Sequence, residues 1–305
     1  MTGSNPLVLC VPNFSEGRRP EVVDAICDAL STIRGARLVY RQADPEHNRL
    51  DTTVVGPPDA ARASALAGAS EAVELIDMTK HTGGHPRMGA ADVIPFVPLS
   101  GISMEEVVDL ARGFAKELAR RLDLPVYLYD RAAMRPERSS LAEVRRGEFE
   151  GLREAVARGE RLPDFGPHEL GRAGATAVGA RKPLVAFNVY LSGAEDDAKD
   201  VARAVRESGG GLPAVRAIGF AVPERRAVTV SMNLVDIDVT SLRTAFDGVE
   251  RLARERGMEV LSSEIVGLVP RAALGPGDPD RVRLEGFDAD RQVVERLMSG
   301  ERSDA

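Results

Sequence analysis

Residues 76–98 read IDMTKHTGGHPRMGAADVIPFVP. Two of the chain's four histidines, His81 and His85, lie within five residues of each other here. Gly83 and Gly84 precede His85, Pro86 and Arg87 follow it, and Gly89 closes the cluster. Glycine frees the backbone and proline removes a donor, so this run cannot be a regular helix. Apolar runs flank it at residues 74–78 and 93–97, and both read as strands. The pattern predicts a strand-held loop that brings an imidazole and a guanidinium into one small volume.

Three readings of that loop stay open on the residues alone. The HxxxH spacing of His81 and His85 serves a metal only when a helix puts both rings on one face. Gly83 and Gly84 oppose a helix and no cysteine is adjacent, so no metal is expected. A second reading is a structural loop whose histidines bond backbone groups. The third is acid–base chemistry, because a positioned imidazole titrates near neutrality. Arg87 offers either a planar fork for a ligand carboxylate or an internal salt bridge.

Upstream, residues 7–12 form a short apolar run that reads as a buried strand. Pro20 suits a first helical turn, and Val22, Val23, Ala25, Ile26, Ala29 and Leu30 recur at helical spacing up to Gly35. Strands are expected at 36–41 and 51–56, joined by a polar loop at 42–49. A helix follows at 60–74 and a strand at 75–78, giving the order βαββαβ. Beyond the histidine loop come a strand at 93–97 and a helix opened by the capping sequence SMEE at 103–106. A strand at 126–129 and a helix at 141–158 follow, the latter weakened by Gly147 and Gly151. Residues 159–174 form a long polar loop, and such loops are often functional.

The second half repeats the element order without repeating the residues. Strands are expected at 184–191, 215–222, 227–234 and 258–266, with helices at 195–207 and 241–256. The alternation of Val228, Val230, Met232 and Leu234 with polar residues marks a half-buried strand. The fold class is therefore α/β (α+β), with two ferredoxin-like βαββαβ subdomains, 1–183 and 184–305, and a ligand groove between them. The tail after 276 starts irregular, with a short helix at 293–298 and frayed last residues.

Composition narrows the function. The formal charge is −7, which disfavours a nucleic-acid partner. The two cysteines, Cys10 and Cys27, are too few for a disulfide framework and read as buried thiols. Neither a signal peptide nor a membrane span is expected, so the chain reads as cytoplasmic.

HPRMGAADVIPFVP at 85–98 is similar to the signature of the formiminotransferase family. Further similar segments are CVPNFSEGR at 10–18, HNR at 47–49, VVGPP at 54–58, PVYLYD at 125–130 and PDFGP at 163–167. GATAVGARKPLVAFNVYL at 174–191 and EIVGLVPRAAL at 264–274 complete the collinear set. The resemblance implies transfer of a formimino group from N-formimino-L-glutamate to tetrahydrofolate, yielding glutamate and 5-formiminotetrahydrofolate. It places the chain in histidine degradation and one-carbon metabolism. It further implies a homodimer, with a separate cyclodeaminase as a partner and tetrahydrofolate as co-substrate.

By the same resemblance the catalytic histidine is His85, with Arg87 beside it. The folate-binding segment covers Asp164, Gly166, Pro167, His168, Glu169, Leu170, Gly171, Arg172, Ala173 and Gly174. There this chain reads GPHELGRAG, one residue shorter than the family's segment, so His168 or Arg172 would take over ring contacts. An acidic residue that the family uses near the histidine has Gln42 as its counterpart. Asp44 is the substitute two positions on, unless Asp44 and Pro45 merely start a turn. Asn13, Asn48, Arg49 and His81 complete the expected substrate contacts, with a loop-capping role as the alternative for Asn13. Two rivals stand beside the transferase: a relative using N-formylglutamate, and a non-catalytic folate-binding sensor.

Overall fold

A computed structural model describes residues 5–299. The expected fraying of the last residues, 300–305, lies outside the described residues. The chain divides into two compact units, Met1–Arg181 and Lys182–Ala305.

The first unit runs β1 (Leu7–Cys10), β2 (Asn13–Phe14), α1 (Pro20–Ser31), β3 (Arg37–Asp44), β4 (Arg49–Gly56), α2 (Pro58–Leu75) and β5 (Ala91–Ser100). It continues with α3 (Met104–Leu122), β6 (Val126–Asp130), α4 (Leu141–Val144), α5 (Glu148–Ala157) and β7 (Thr176–Ala180). β1 and β2 both lie antiparallel between β4 and β5. With the β3–β4 hairpin this gives the ferredoxin-like core. β7 then adds parallel to β5, and β6 parallel to β7.

Three expectations are corrected here. Residues 75–78 form no strand. Ile76 and Met78 are buried, but Asp77 accepts hydrogen bonds from the Thr79 N–H and hydroxyl and turns the chain. The fourth strand of the core is β5 instead, so the histidine loop belongs to the α2–β5 crossover. The helix expected at 141–158 breaks at Gly147, whose φ of 81° is followed by 55° at Glu148. β7 is an additional strand. Its small residues, TAVGA, lie buried between two parallel neighbours and show no alternation to read.

Ser103 and Glu106 close the expected capping box of α3. That helix buries Val107, Ala111, Phe114, Ala115 and Leu118. Phe114 meets Phe96 of β5 edge-on, with ring centroids 5.2 Å apart. Cys10 and Cys27 are buried thiols, and burial raises both pKa values.

The second unit carries β8 (Val185–Leu191), α6 (Glu195–Val205), β9 (Val215–Val222), β10 (Ala227–Leu234), α7 (Leu242–Arg254) and β11 (Val260–Val266). Its antiparallel sheet has the order β11-β8-β10-β9, the ferredoxin-like arrangement. The core is aliphatic around Phe187 and Phe246. Three short helices, α8 (Asp278–Arg281), α9 (Ala289–Gln292) and α10 (Val294–Ser299), follow. Among the described residues no helix is long and apolar enough to cross a membrane.

Phe96→Ala should destabilise the first unit by about 3–5 kcal/mol, the range for emptying a buried aromatic site. Denaturant unfolding measures this. A change below about 1 kcal/mol would show that the ring is not a core element.

Candidate active site

Four segments of the first unit meet at the histidine loop. They are the β3–β4 turn, the α2–β5 crossover, the break between α4 and α5, and residues 164–174. Close backbone approach fixes two of the junctions. A Cβ on Gly83 would lie 2.3 Å from the His47 carbonyl oxygen, so the crossover sits directly on the hairpin turn. Gly89 and Gly174 pair as an isolated bridge, and a Cβ on Gly174 would lie 2.3 Å from the Met88 oxygen.

Beneath the loop lies a buried ion cluster. Asp92 is fully buried. One of its oxygens accepts Arg49 at 2.9 Å and Arg145 at 2.5 Å. The other accepts the Met88 N–H at 2.8 Å. Arg49 also reaches Asp51, which in turn accepts the Asn13 side-chain amide at 2.6 Å. The break before α5 is what turns Arg145 inward. Burial lowers the Arg145 pKa, and Asp92 works against that shift.

His85 is half-buried above this cluster. Its Nδ1 lies 2.7 Å from the Pro86 carbonyl oxygen. A carbonyl only accepts, so that bond requires the proton on Nδ1 and leaves the lone pair on Nε2. Among the described residues Nε2 has no hydrogen-bond partner. Burial pushes the His85 pKa down, Arg49 pushes it further, and the Pro86 carbonyl opposes. The ring also meets His47 edge-on, with centroids 6.4 Å apart.

His81 is bonded on both nitrogens. Nδ1 accepts the Arg87 Nε–H at 3.3 Å, and Nε2 lies 3.2 Å from the Asn48 carbonyl oxygen. Burial lowers its pKa, the Asn48 carbonyl opposes, and the Arg87 charge lowers it again. Arg87 is buried, and its fork is filled. Glu150 takes it at 2.7 and 2.8 Å, and Glu148 at 2.6 Å. A ligand carboxylate there would have to displace Glu150. A pocket of about 520 Å³ adjoins this pair, lined by His81, Thr82, Gly83, Arg87, Glu148 and Glu150. A larger one of about 750 Å³, lined by Asp59, Arg62, Leu66, Glu117 and Arg121, touches no site residue.

The β3–β4 turn is shorter than the loop expected at 42–49, because β3 extends to Asp44 and β4 begins at Arg49. Asn48, at φ 51°, accepts the Gly17 N–H through Oδ1 and donates to the Thr82 carbonyl through Nδ2. Both ends of its amide therefore clamp backbone. Asp44 grips His47 rather than His85. It accepts the His47 N–H at 2.9 Å and meets the ring Nδ1 at 2.6 Å. Those contacts, the backbone one first, hold the Asp44 carboxyl below its ordinary range.

Residues 164–174 divide into anchors and an exposed middle. Asp164 is buried as a side chain, accepts the Leu128 N–H at 2.8 Å and pairs with Arg138 at 2.5 Å. Gly166 follows at φ 91°, next to Pro167. His168, Glu169 and Gly171 are exposed, whereas Leu170 is buried. Arg172 donates to the Glu74 carbonyl at 2.9 Å, and its own carbonyl accepts the Met78 N–H at 2.7 Å. The Ala173 carbonyl accepts the Ala90 N–H at 2.8 Å, just before Gly174. The end of this segment is thus stitched to the chain on both sides of the histidine loop, at Glu74 and Met78 before it and at Ala90 after it.

Sequence reading did not single out His47, Asp92, Arg145, Glu148 or Glu150. Asp92 carried a signal, as the lone charge in the apolar run AADVIPFVP. Among the described residues no three His, Cys, Asp or Glu side chains converge as metal ligands.

Two domain descriptions match this chain. The formiminotransferase domain, N-terminal subdomain, covers residues 7–181, and the formiminotransferase domain covers 186–276. The chain belongs to the formiminotransferase family. It is 41% identical over 296 residues to glutamate formimidoyltransferase of Streptococcus pyogenes, covering 96% of this chain and 99% of that one. It is 43% identical to glutamate formimidoyltransferase of Thermoplasma acidophilum, covering 96% and 97%. It is 46% identical to formimidoyltransferase-cyclodeaminase of Mus musculus, covering 88% of this chain and 51% of that one. The chain thus spans about half the length of the bifunctional relatives.

Asp92→Asn should destabilise the first unit by about 3–5 kcal/mol, because it leaves two guanidinium groups without their buried counter-charge. Denaturant midpoints compared with the parent chain measure this. Unchanged stability would mean that the cluster does not hold the loop.

Proposed function

We propose that this chain transfers the formimino group of N-formimino-L-glutamate to tetrahydrofolate, with His85 Nε2 as the general base. The family is one of formiminotransferases, and tetrahydrofolate is its co-substrate. The observation that carries the assignment to His85 is its tautomer. The Pro86 carbonyl holds the proton on Nδ1, so the lone pair of Nε2 is available to a substrate.

The reaction asks for such a group. The pterin amine attacks the amidine-like carbon, and a proton must leave that nitrogen as the tetrahedral intermediate forms. A neutral imidazole takes it. Burial and the nearby Arg49 charge favour the neutral ring, since both disfavour adding a proton. Holding both substrates together removes the entropy of encounter. The segment from Asp164 to Gly174 would receive the folate, with exposed His168 and Glu169 towards it and its buried ends as anchors. Asn13 and Arg49 would act through Asp51 and Asp92, and Asn48 and His81 by holding the loop.

We read the protein as a cytoplasmic homodimer that works with a separate cyclodeaminase. Exposed Ile218 and Phe220 on β9 give the dimer an apolar face to use. The deaminase reading rests on the greater length of the bifunctional relatives.

His85→Gln should lower kcat/KM by about 10²–10⁴-fold, the usual contribution of a general base. Formation of the 5-formimino product, followed by absorbance, checks it, and retention of most activity would remove His85 from this role. The sign of the pH effect follows from the lowered His85 pKa. Activity needs the neutral ring, so it should persist as pH falls through the ordinary imidazole value of 6.5 and be lost only below it.

A further inference from the structure

A second imidazole faces His85, and nothing in the base assignment uses it. His47 stands on the β3–β4 turn, with its ring edge-on to that of His85 at a centroid distance of 6.4 Å and an interplanar angle of 75°. Asp44 fixes it twice, through the backbone N–H at 2.9 Å and through Nδ1 at 2.6 Å. An ionised carboxylate only accepts, so Nδ1 carries a proton and Nε2 is the atom that exchanges one. Among the described residues that Nε2 has no hydrogen-bond partner.

The ring's position is also held from below. The contact between Gly83 and the His47 carbonyl locks the turn to the histidine loop. Asn48 clamps the same turn to Gly17 and Thr82. The two imidazoles therefore belong to one rigid unit. Each has its Nδ1 tied to an acceptor and its Nε2 available. Half of the His47 side chain is solvent-exposed, so a substrate can reach it. His81 offers no such atom, because both of its nitrogens are bonded.

We propose that His47, held by Asp44, is the general acid that protonates the departing glutamate nitrogen, opposite His85. This rests on the reading of His85 as base. As the new N–C bond forms, the attacking amine gives its proton to His85 Nε2. As the old C–N bond breaks, its electron pair stays on the glutamate nitrogen, which takes the Nε2 proton of the His47 imidazolium, the form whose charge the Asp44 carboxylate at 2.6 Å balances. One proton has left the acceptor and one has reached the leaving group. A proton passed from His85 to His47 through water restores both rings.

The test varies the leaving group. Wild type, His47→Gln, Asp44→Asn and His85→Gln are assayed with tetrahydrofolate and two donors. One is N-formimino-L-glutamate, whose alkylamine nitrogen needs a proton to depart. The other is an N-aryl formamidine bearing an electron-withdrawing group, whose aniline departs without one. His47→Gln should lower kcat/KM about 10²-fold or more with formiminoglutamate and less than about tenfold with the aryl donor, as loss of a general acid does. Asp44→Asn should show the same donor dependence to a smaller degree, and it decides the matter should His47→Gln fail to fold. An equal loss on both donors, or no loss on either, would overturn the assignment. His85→Gln should lose activity with both donors. Activity retained by that variant would sink the base reading without changing the donor ratio seen for His47→Gln.

Discussion

The Asp92 carboxylate is fully enclosed between the guanidinium groups of Arg49 and Arg145, and it holds the Met88 N–H as well. A buried charge is tolerated only when it is paired and hydrogen-bonded, and removing one partner is costly. This requirement links three distant pieces of chain. Arg49 begins β4, Asp92 is the second residue of β5, and Arg145 comes from the turn before α5. The path of the histidine loop follows from where these charges must meet.

The cluster also acts on the ring above it. Arg49 also pairs with Asp51, so the cluster sets two guanidinium groups against two carboxylates. Burial first, and then the Arg49 charge, lowers the His85 pKa, against the Pro86 carbonyl and Asp92. The bond from Nδ1 to the Pro86 carbonyl then sets the tautomer. The Pro86 bend thus does more than break a helix, because it places an acceptor within reach of the ring it follows. Arg87 serves the scaffold by tying the loop to Glu148 and Glu150. Its ion pairs and those of Arg145 depend on the same helix break at Gly147.

Much of the architecture was legible in the chain. The second unit's strands and helices follow from clean periodicities of two and 3.6 residues, and its turns from Pro, Gly and Ser. The loop character of residues 81–89 followed from Gly83, Gly84 and Pro86. The first unit was harder where burial and pattern disagree. Ile76 and Met78 are buried as a strand would bury them, yet the Asp77 side chain turns the backbone there. β7 lies between two parallel strands, so every residue is buried and no alternation marks it.

The sequence by itself determined the family, the two-unit α+β plan and the residue types of the site. His85 was visible because its glycine and proline neighbours constrain the backbone locally. Only the tertiary structure decided how the charged groups are shared. It paired Arg87 with Glu150, Arg49 with Asp92, and Asp44 with His47, and it set His47 against His85. Hydrogen bonds and ion pairs act over a few ångströms in space, whatever the separation along the chain. No local pattern can therefore announce which partner a given arginine or histidine will meet.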